Sequence, residues 1–432
     1  MSSDPGAVTM RSTLRCLCSG VLVPLAFLLG CDAPRPNGSH AAAPSVRDSS
    51  GVTITEFSAA ALDKRAPFQV APEPAFSFGE MEGGDEVRFT SVVAGTRLAD
   101  GSFVVVDDRE SIPLRLLDAE GGFVQGIGAR GEGPGELMRP AGLQVDTEGR
   151  LLVGDAGRNR IHLFDPDGGF VRDFSQRDLG SGSILGFRPQ ADGSFLLIRE
   201  TTAAGPPDPG MSRRSNQGRL VRARGGAIDT LVTFAGTEWE LRVHMDGGEV
   251  SAVEIARPWY LPRLLHSFDE QGVWISRGAT WEVIRRGFSG ATESVLRFDR
   301  PPEEFTTDRV RELHRAMLAA ATDEIAEEGV HRRIEVEEYP PVIPPIADLF
   351  SDAEGRLWVG LTSFPPPENL SGTMGRPVRE WLILEEGAGS VVGRITLPPR
   401  SRPLHADADG VFIVVVDELG IPRVEWRLFE PG

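Results

Sequence analysis

Six segments of this chain share one short pattern: an acidic or amide residue, a glycine, then a run of β-branched, aliphatic or aromatic side chains. They read LADGSFVVVDD (98–108), DTEGRLLVGDA (146–156), QADGSFLLIRE (190–200), DEQGVWISRGA (269–279), DAEGRLWVGLT (352–362) and DADGVFIVVVD (407–417). Asp-Gly-type pairs accept the positive φ of a tight hairpin, and the apolar run that follows is the pattern of a buried strand. The anchoring glycines are Gly101, Gly149, Gly193, Gly272, Gly355 and Gly410, and the two clean spacings are 48 and 44 residues. Such a period holds four short strands and their turns, one propeller blade per repeat.

The second period can be read strand by strand: Gly142 to Val145, Leu151 to Gly154, Arg160 to Phe164, and Phe170 to Phe174, with Asp165-Pro166-Asp167-Gly168 turning the third into the fourth. Its full text, GARGEGPGELMRPAGLQVDTEGRLLVGDAGRNRIHLFDPDGGFVRDF (128–174), resembles an NHL repeat in Pro140, Val145-Asp146, Gly149, Asp155, Asn159-Arg160, Phe164-Asp165 and Gly168. In the other copies only the residues around the central glycine match. The resemblance covers roughly 75–429 and implies an all-β fold, a six-bladed β-propeller.

The glycine-rich stretch GARGEGPGEL (128–137) raises the question of a phosphate cradle. A cradle sets its glycines between a strand and a helix N-terminus, so that aligned N–H groups face the anion. Here a strand (Phe123 to Gly128) precedes, another begins at Gly142, and Glu132 and Glu136 repel phosphate. The glycines read as a crossing between blades. FGEMEGGDEVRF (78–89) is a similar crossing before the first blade.

A ring must join its last blade to its first. The sixth copy supplies a third strand, Arg423 to Phe429, and PAFSFG (74–79) sits where its fourth belongs, so the N-terminal segment is expected to complete the C-terminal blade. GVTITEF (51–57) alternates like an added edge strand. The two long spacings hold insertions. The first carries a polar loop, 201–217, and a hairpin, Trp239 to His244 with Glu249 to Ile255, around Asp246-Gly247-Gly248; a seventh blade there lacks the glycine-led run. The second carries a helix at about 306–328, capped by Thr307 or Asp308 and ended by Gly329, with Val310, Leu313, Met317, Leu318, Ala321 and Ile325 as its apolar stripe. It packs on one rim of the ring or forms a lid over the channel mouth.

Counting back from the glycines places Thr96, Gln144, Arg188, His266 and His405 on the innermost strands beside the central channel, with Asp348 near a strand entrance. Such groups suit a polar ligand or a cation, or they satisfy strand ends and interblade contacts. No HxH, HExxH or GxSxG pattern occurs, so neither a zinc site nor a serine-hydrolase elbow is legible. Asp107, Asp155 and Asp417 close second strands and read as turn chemistry.

The chain's 432 residues carry a formal net charge of −18, and basic residues form no cluster, so nucleic acid is not an expected partner. The three cysteines, Cys16, Cys18 and Cys31, all lie near the N-terminus, which leaves the repeats without a disulfide or a thiolate metal site. Arg11 and Arg15 precede an apolar stretch, Leu17 to Leu29, that is short for a bilayer span. Leu28-Leu29-Gly30-Cys31 resembles the lipobox of bacterial lipoproteins, which implies lipidation at Cys31 and export to the periplasmic or cell-surface side of a membrane. Met1 and Met10 are both candidate starts. The expected organisation is a signal at 1–30, a Pro/Ala/Ser-rich tether at 31–50 and the propeller at 51–432.

Two functions follow. One is a lipid-anchored binding or interaction module for a protein, peptide or glycan, with no cofactor. The other comes from the resemblance of such rings to propeller lyases and calcium-dependent lactonases; it makes His266 and His405 acid/base candidates and Asp348 a calcium ligand. A Cys31→Ser chain is expected to lose incorporation of radiolabelled palmitate and to leave the membrane fraction; labelling that persists would contradict lipidation at this residue.

Overall fold

In the computed structural model the apolar runs become the second strand of each of six antiparallel sheets. The model describes residues 43–202, 210–258, 260–319, 327–328, 330–331, 339–364, 378–385 and 389–432. Phe103–Asp107, Leu151–Asp155 and Gly272–Ser276 are buried at every position, as expected of strands covered on both faces. The inner strands of blades one to six are Val92–Arg97, Pro140–Val145, Ser183–Pro189, Leu265–Phe268, Ile346–Ser351 and Ser401–Ala406. Each pairs antiparallel with the glycine-led strand of its own blade. The chain is a six-bladed β-propeller.

One apolar cluster fills each interface between neighbouring blades. Blades one and two share Val104, Val106, Leu151, Val153 and Phe164. Blades five and six share Trp358, Trp381, Ile383, Val411 and Ile413. Alternate side chains of a strand point to opposite faces, so each blade contributes to two clusters.

The turn glycines divide into two kinds. Gly101, Gly149, Gly193 and Gly355 have φ of +92°, +77°, +77° and +75°, as an Asp-Gly-type turn requires. Gly272 and Gly410 do not; a Cβ there would lie 2.1 Å from the Arg286 carbonyl oxygen and 2.3 Å from that of Arg427. The pattern is shared, but two of its glycines answer to a close backbone approach.

The ring closes as the sequence suggests. Phe76–Phe78 pairs antiparallel with the last strand, Pro422–Pro431, and Phe68–Val70 pairs further along it. Phe76 packs against Phe103 of blade one, ring centroids 5.0 Å apart. Arg427, 9% exposed, fastens the seam. Its Nη1 donates to the carbonyls of Ala71 (3.0 Å) and Pro72, and its Nε donates to Glu425, itself 6% exposed, at 2.7 Å.

Upstream of the seam the chain forms a strap. Val52–Ser58 is indeed an added strand, paired in parallel with the outer strand of blade four, Thr292–Asp299, but it is not the edge of the sheet. Ser45–Ser49, which falls in the expected tether, pairs outside it, because its backbone groups find an open strand edge. The chain then crosses blade five, where Arg65 bridges Arg394 and Lys64 Nζ donates to the Val391 carbonyl at 2.7 Å. A Cβ on Gly393 would lie 2.2 Å from the Ala66 nitrogen. The strap thus covers the outer edges of blades four, five and six in turn.

The insertions also correct the sequence reading. Residues 210–217, placed in a polar loop, belong to a long strand, Gly210–Arg224, that pairs with Ala227–Asp246; 203–209 lie outside the described residues. Ala227–Asp246 turns at Gly247-Gly248 into Glu249–Ala256, so the first insertion enlarges blade three rather than adding a seventh. The helix is described over Thr307–Ala319. Thr306, not Thr307 or Asp308, caps it, its Oγ1 accepting from the Arg309 N–H at 3.3 Å. Ala321, Ile325 and Gly329 lie outside the described residues. Leu313 and Met317 pack with Tyr260, Leu261 and Ile343, just upstream of the inner strands of blades four and five. This places the helix on a rim.

Arg427→Met leaves Glu425 buried without its cation and two carbonyls without donors, and is expected to cost about 3 kcal/mol. Urea denaturation should show this loss, whereas Arg423→Met, at a half-exposed neighbour on the same strand, should stay within about 0.5 kcal/mol of the parent.

Candidate functional site: the central channel

The six innermost strands supply one candidate side chain each: Thr96, Gln144, Arg188, His266, Asp348 and His405, from blades one to six in order. All six are half-buried. The structure joins one pair directly, across the seam between the last and first blades. Thr96 Oγ1 lies 3.2 Å from His405 Nδ1, and His405 Nε2 is 3.7 Å from Asp407. Asp407 also accepts from Arg97 Nη1 at 3.0 Å. Burial lowers the His405 pKa against the opposing pull of Asp407.

His266 sits in blade four against Gly186 of blade three. A Cβ on Gly186 would be 2.2 Å from His266 Nε2, so the imidazole uses the space that only glycine leaves. Burial pushes its pKa down to about 4, opposed by the Glu200 carboxylate and by a hydrogen bond with the Leu185 backbone. His266 is therefore neutral near pH 7. It lies two blades from His405, with blade five between them.

Sequence reasoning missed two arginines that give the site its character. Arg263 and Arg402 each stand three residues before the channel histidine of their strand, in RLLH (263–266) and RPLH (402–405). That Arg-x-Leu-His echo was the available signal. The two strands flank blade five, and both guanidinium groups feel Asp348 of that blade. Arg402 Nη2 donates to the carbonyls of Val92 (3.3 Å) and Val93 (3.2 Å), and Arg263 Nη2 to that of Arg257 (3.0 Å). Burial lowers the pKa of both arginines, and Asp348 offsets part of that effect. Arg188 is likewise lowered by burial and is opposed by Asp269 and Glu270.

The calcium expectation at Asp348 meets a cationic neighbourhood, because Arg263 and Arg402 both interact with that carboxylate. Two guanidinium groups beside one carboxylate repel a dication, and calcium takes six to eight oxygen ligands. Among the described residues no group of three or more His, Cys, Asp or Glu side chains is placed to hold a metal ion. The turn reading of Asp155 holds: its carboxylate accepts from the N–H groups of Met138 (2.9 Å), Arg139 (3.0 Å) and Gly157 (2.9 Å). In the glycine-rich crossing, Glu136 takes the Gly133 N–H at 2.7 Å, so a protein carboxylate sits where a phosphate oxygen would.

Residues 76–179 match a family model described as a 6-bladed beta-propeller. No curated protein matches the sequence. Among solved structures, a Bacteroides fragilis protein designated as exported aligns with a TM-score of 0.48 and 10% identity, covering 88% of this chain and 99% of its own. Virginiamycin B lyase from Staphylococcus aureus aligns at 0.41 and 11%, covering 84% and 99%. A gluconolactonase from Xanthomonas campestris aligns at 0.42 and 13%, covering 85% and 97%. Among the described residues no helix is long and apolar enough to cross a membrane.

The depressed His266 pKa carries a sign. Below pH 6.5 the unfolded chain takes up a proton that the folded chain refuses down to about pH 4, so this contribution to stability is complete above pH 6.5 and falls between those values. In His266→Gln the fall in stability over this window should be shallower, measured by urea denaturation at pH 4 to 7; an unchanged slope would place the acid sensitivity elsewhere.

Proposed function

We propose that this protein is an exported, lipid-anchored propeller of the NHL type that binds an anionic ligand in its central channel. The observation that carries this reading is the pair of buried arginines, Arg263 and Arg402, three residues before the histidines of blades four and six and both interacting with Asp348 of blade five. The chain as a whole is strongly acidic, with a net charge of −18. Partly desolvated guanidinium groups inside a low-dielectric channel attract anions, because field lines focus in a cleft. Burial has already removed part of the water around these guanidinium groups. A carboxylate or phosphate on the ligand restores charge-assisted hydrogen bonds that water no longer supplies. Arg188, Gln144 and Thr96, on the inner strands of blades three, two and one, then offer polar contacts to the rest of the molecule.

Catalysis as a lyase or lactonase has less support. The two channel histidines lie in blades four and six, with blade five between them. The Arg263–Asp348–Arg402 arrangement does not suit the dication such lactonases use. Lipidation at Cys31 fits the binding reading, since it would hold a receptor at a membrane surface. Two acyl signals anchor stably where one does not.

Arg263→Gln and Arg402→Gln are each expected to weaken binding of small polycarboxylates such as citrate, or of inorganic phosphate, by roughly tenfold, which is about 1.4 kcal/mol. Isothermal titration of the full chain reads this directly. Anion affinity that is absent in the parent, or equal in parent and variants, would remove the channel as the site.

A further inference from the structure

A second concavity lies outside the channel, between blades four and five, and holds about 210 Å³. The strap builds one of its walls. In the parallel pairing, Thr53 stands opposite Ser294, Thr55 opposite Leu296 and Phe57 opposite Phe298. Side chains alternate along a strand, so Thr53, Thr55 and Phe57 share the face that lines the cleft. The opposite wall comes from blade five, through Gly355, Leu357, Leu384, Glu385 and Gly389.

The lining has two characters. Phe57, Leu296 and Leu357 form an apolar floor and belong to the core cluster of these two blades. Thr53, Thr55, Gln271, Glu293 and Ser294 are polar, and among the described residues none of their side chains makes a hydrogen bond. Thr55 is only 2% exposed as a residue, yet its hydroxyl is not one of the fully buried unpaired polar atoms, so it keeps a face on the cleft. Polar groups at the wall of a cleft are hydrogen-bonded by the water that enters it, and a ligand with matching groups can take the place of that water.

Charge narrows what that is. Among the described residues the cation in the lining is Arg285, which is bound to Asp269 at 3.1 Å and lies over the Trp274 ring, 5.3 Å from its centroid. Glu293 and Glu385 leave the cleft with negative character, which disfavours an anion. Hydroxyl, amide and carboxylate groups over a small apolar floor match a molecule that has several hydroxyl groups and one apolar face. We propose that the cleft binds a single neutral or amino sugar unit. This site is independent of the channel.

The test titrates the full chain with glucose, N-acetylglucosamine, glucosamine and glucuronate, followed by saturation-transfer NMR and calorimetry. Saturable binding of at least one of the first three is expected, with a Kd on the order of 1 mM for so small a ligand. Glucuronate should bind at least tenfold more weakly. Glu293→Gln combined with Gln271→Ala, both at exposed positions, should weaken binding at least tenfold at unchanged Tm, while Arg263→Gln should leave it intact. The proposal falls if no sugar saturates, if glucuronate binds as well as glucose, or if the Glu293/Gln271 variant binds like the parent. Loss of sugar binding in Arg263→Gln at unchanged Tm would also overturn it and assign the sugar to the channel instead.

Discussion

The pairing of Phe76–Phe78 with the last strand is the contact on which the ring depends. Six sheets stacked about an axis leave an open seam unless something crosses it, and an open seam exposes two apolar blade faces at once. The chain closes it without a covalent link. Backbone pairing supplies direction. The aromatic group of Phe76, Phe103, Phe412 and Trp426 supplies burial. Arg427 fixes the register by satisfying carbonyls that a bend in the incoming chain leaves unpaired. A guanidinium suits this task, because its planar donors reach several acceptors from one buried position.

The strap extends the same logic to the outer edges. Edge strands present unpaired backbone groups that invite association with other chains. Residues 45–78 satisfy such groups on three consecutive blades before they reach the seam. The first half of the ring is treated differently. The outer strands of blades one and two, Phe123–Ile127 and Phe170–Phe174, keep their edges, and Phe123, Val124, Phe170 and Val171 are exposed there. The propeller is therefore asymmetric despite its repeats. Its interblade cleft lies on the strapped side because the strap makes a wall of it.

Inside the ring, the guanidinium groups of Arg188, Arg263 and Arg402 lie in partly desolvated positions among carboxylates. Burying a cation is costly unless it is paired; here backbone carbonyls take hydrogen bonds from Arg263 and Arg402, and Asp348 of blade five offsets part of the cost for both. The same strands hold the histidines apart, one neutral against Gly186 and one tied to Thr96 across the seam.

The sequence alone determined the blades. Glycine-led apolar runs at a regular period specify strand, turn and stacking locally, and the four strands of the second blade fall within two residues of their reading. Counting back from the turns also put Thr96, Gln144, Arg188, His266 and His405 on inner strands, because the distance from a turn to its strand is local. Only the tertiary structure decided which of those residues meet. It brought Arg263 and Arg402 both within electrostatic reach of Asp348, although 139 positions separate the arginines in the chain. It carried Val52–Ser58 to blade four, and it turned a stretch that reads as tether into an edge strand. Local propensity encodes a strand, but the partner of an edge is fixed by which open backbone the folded ring brings within reach.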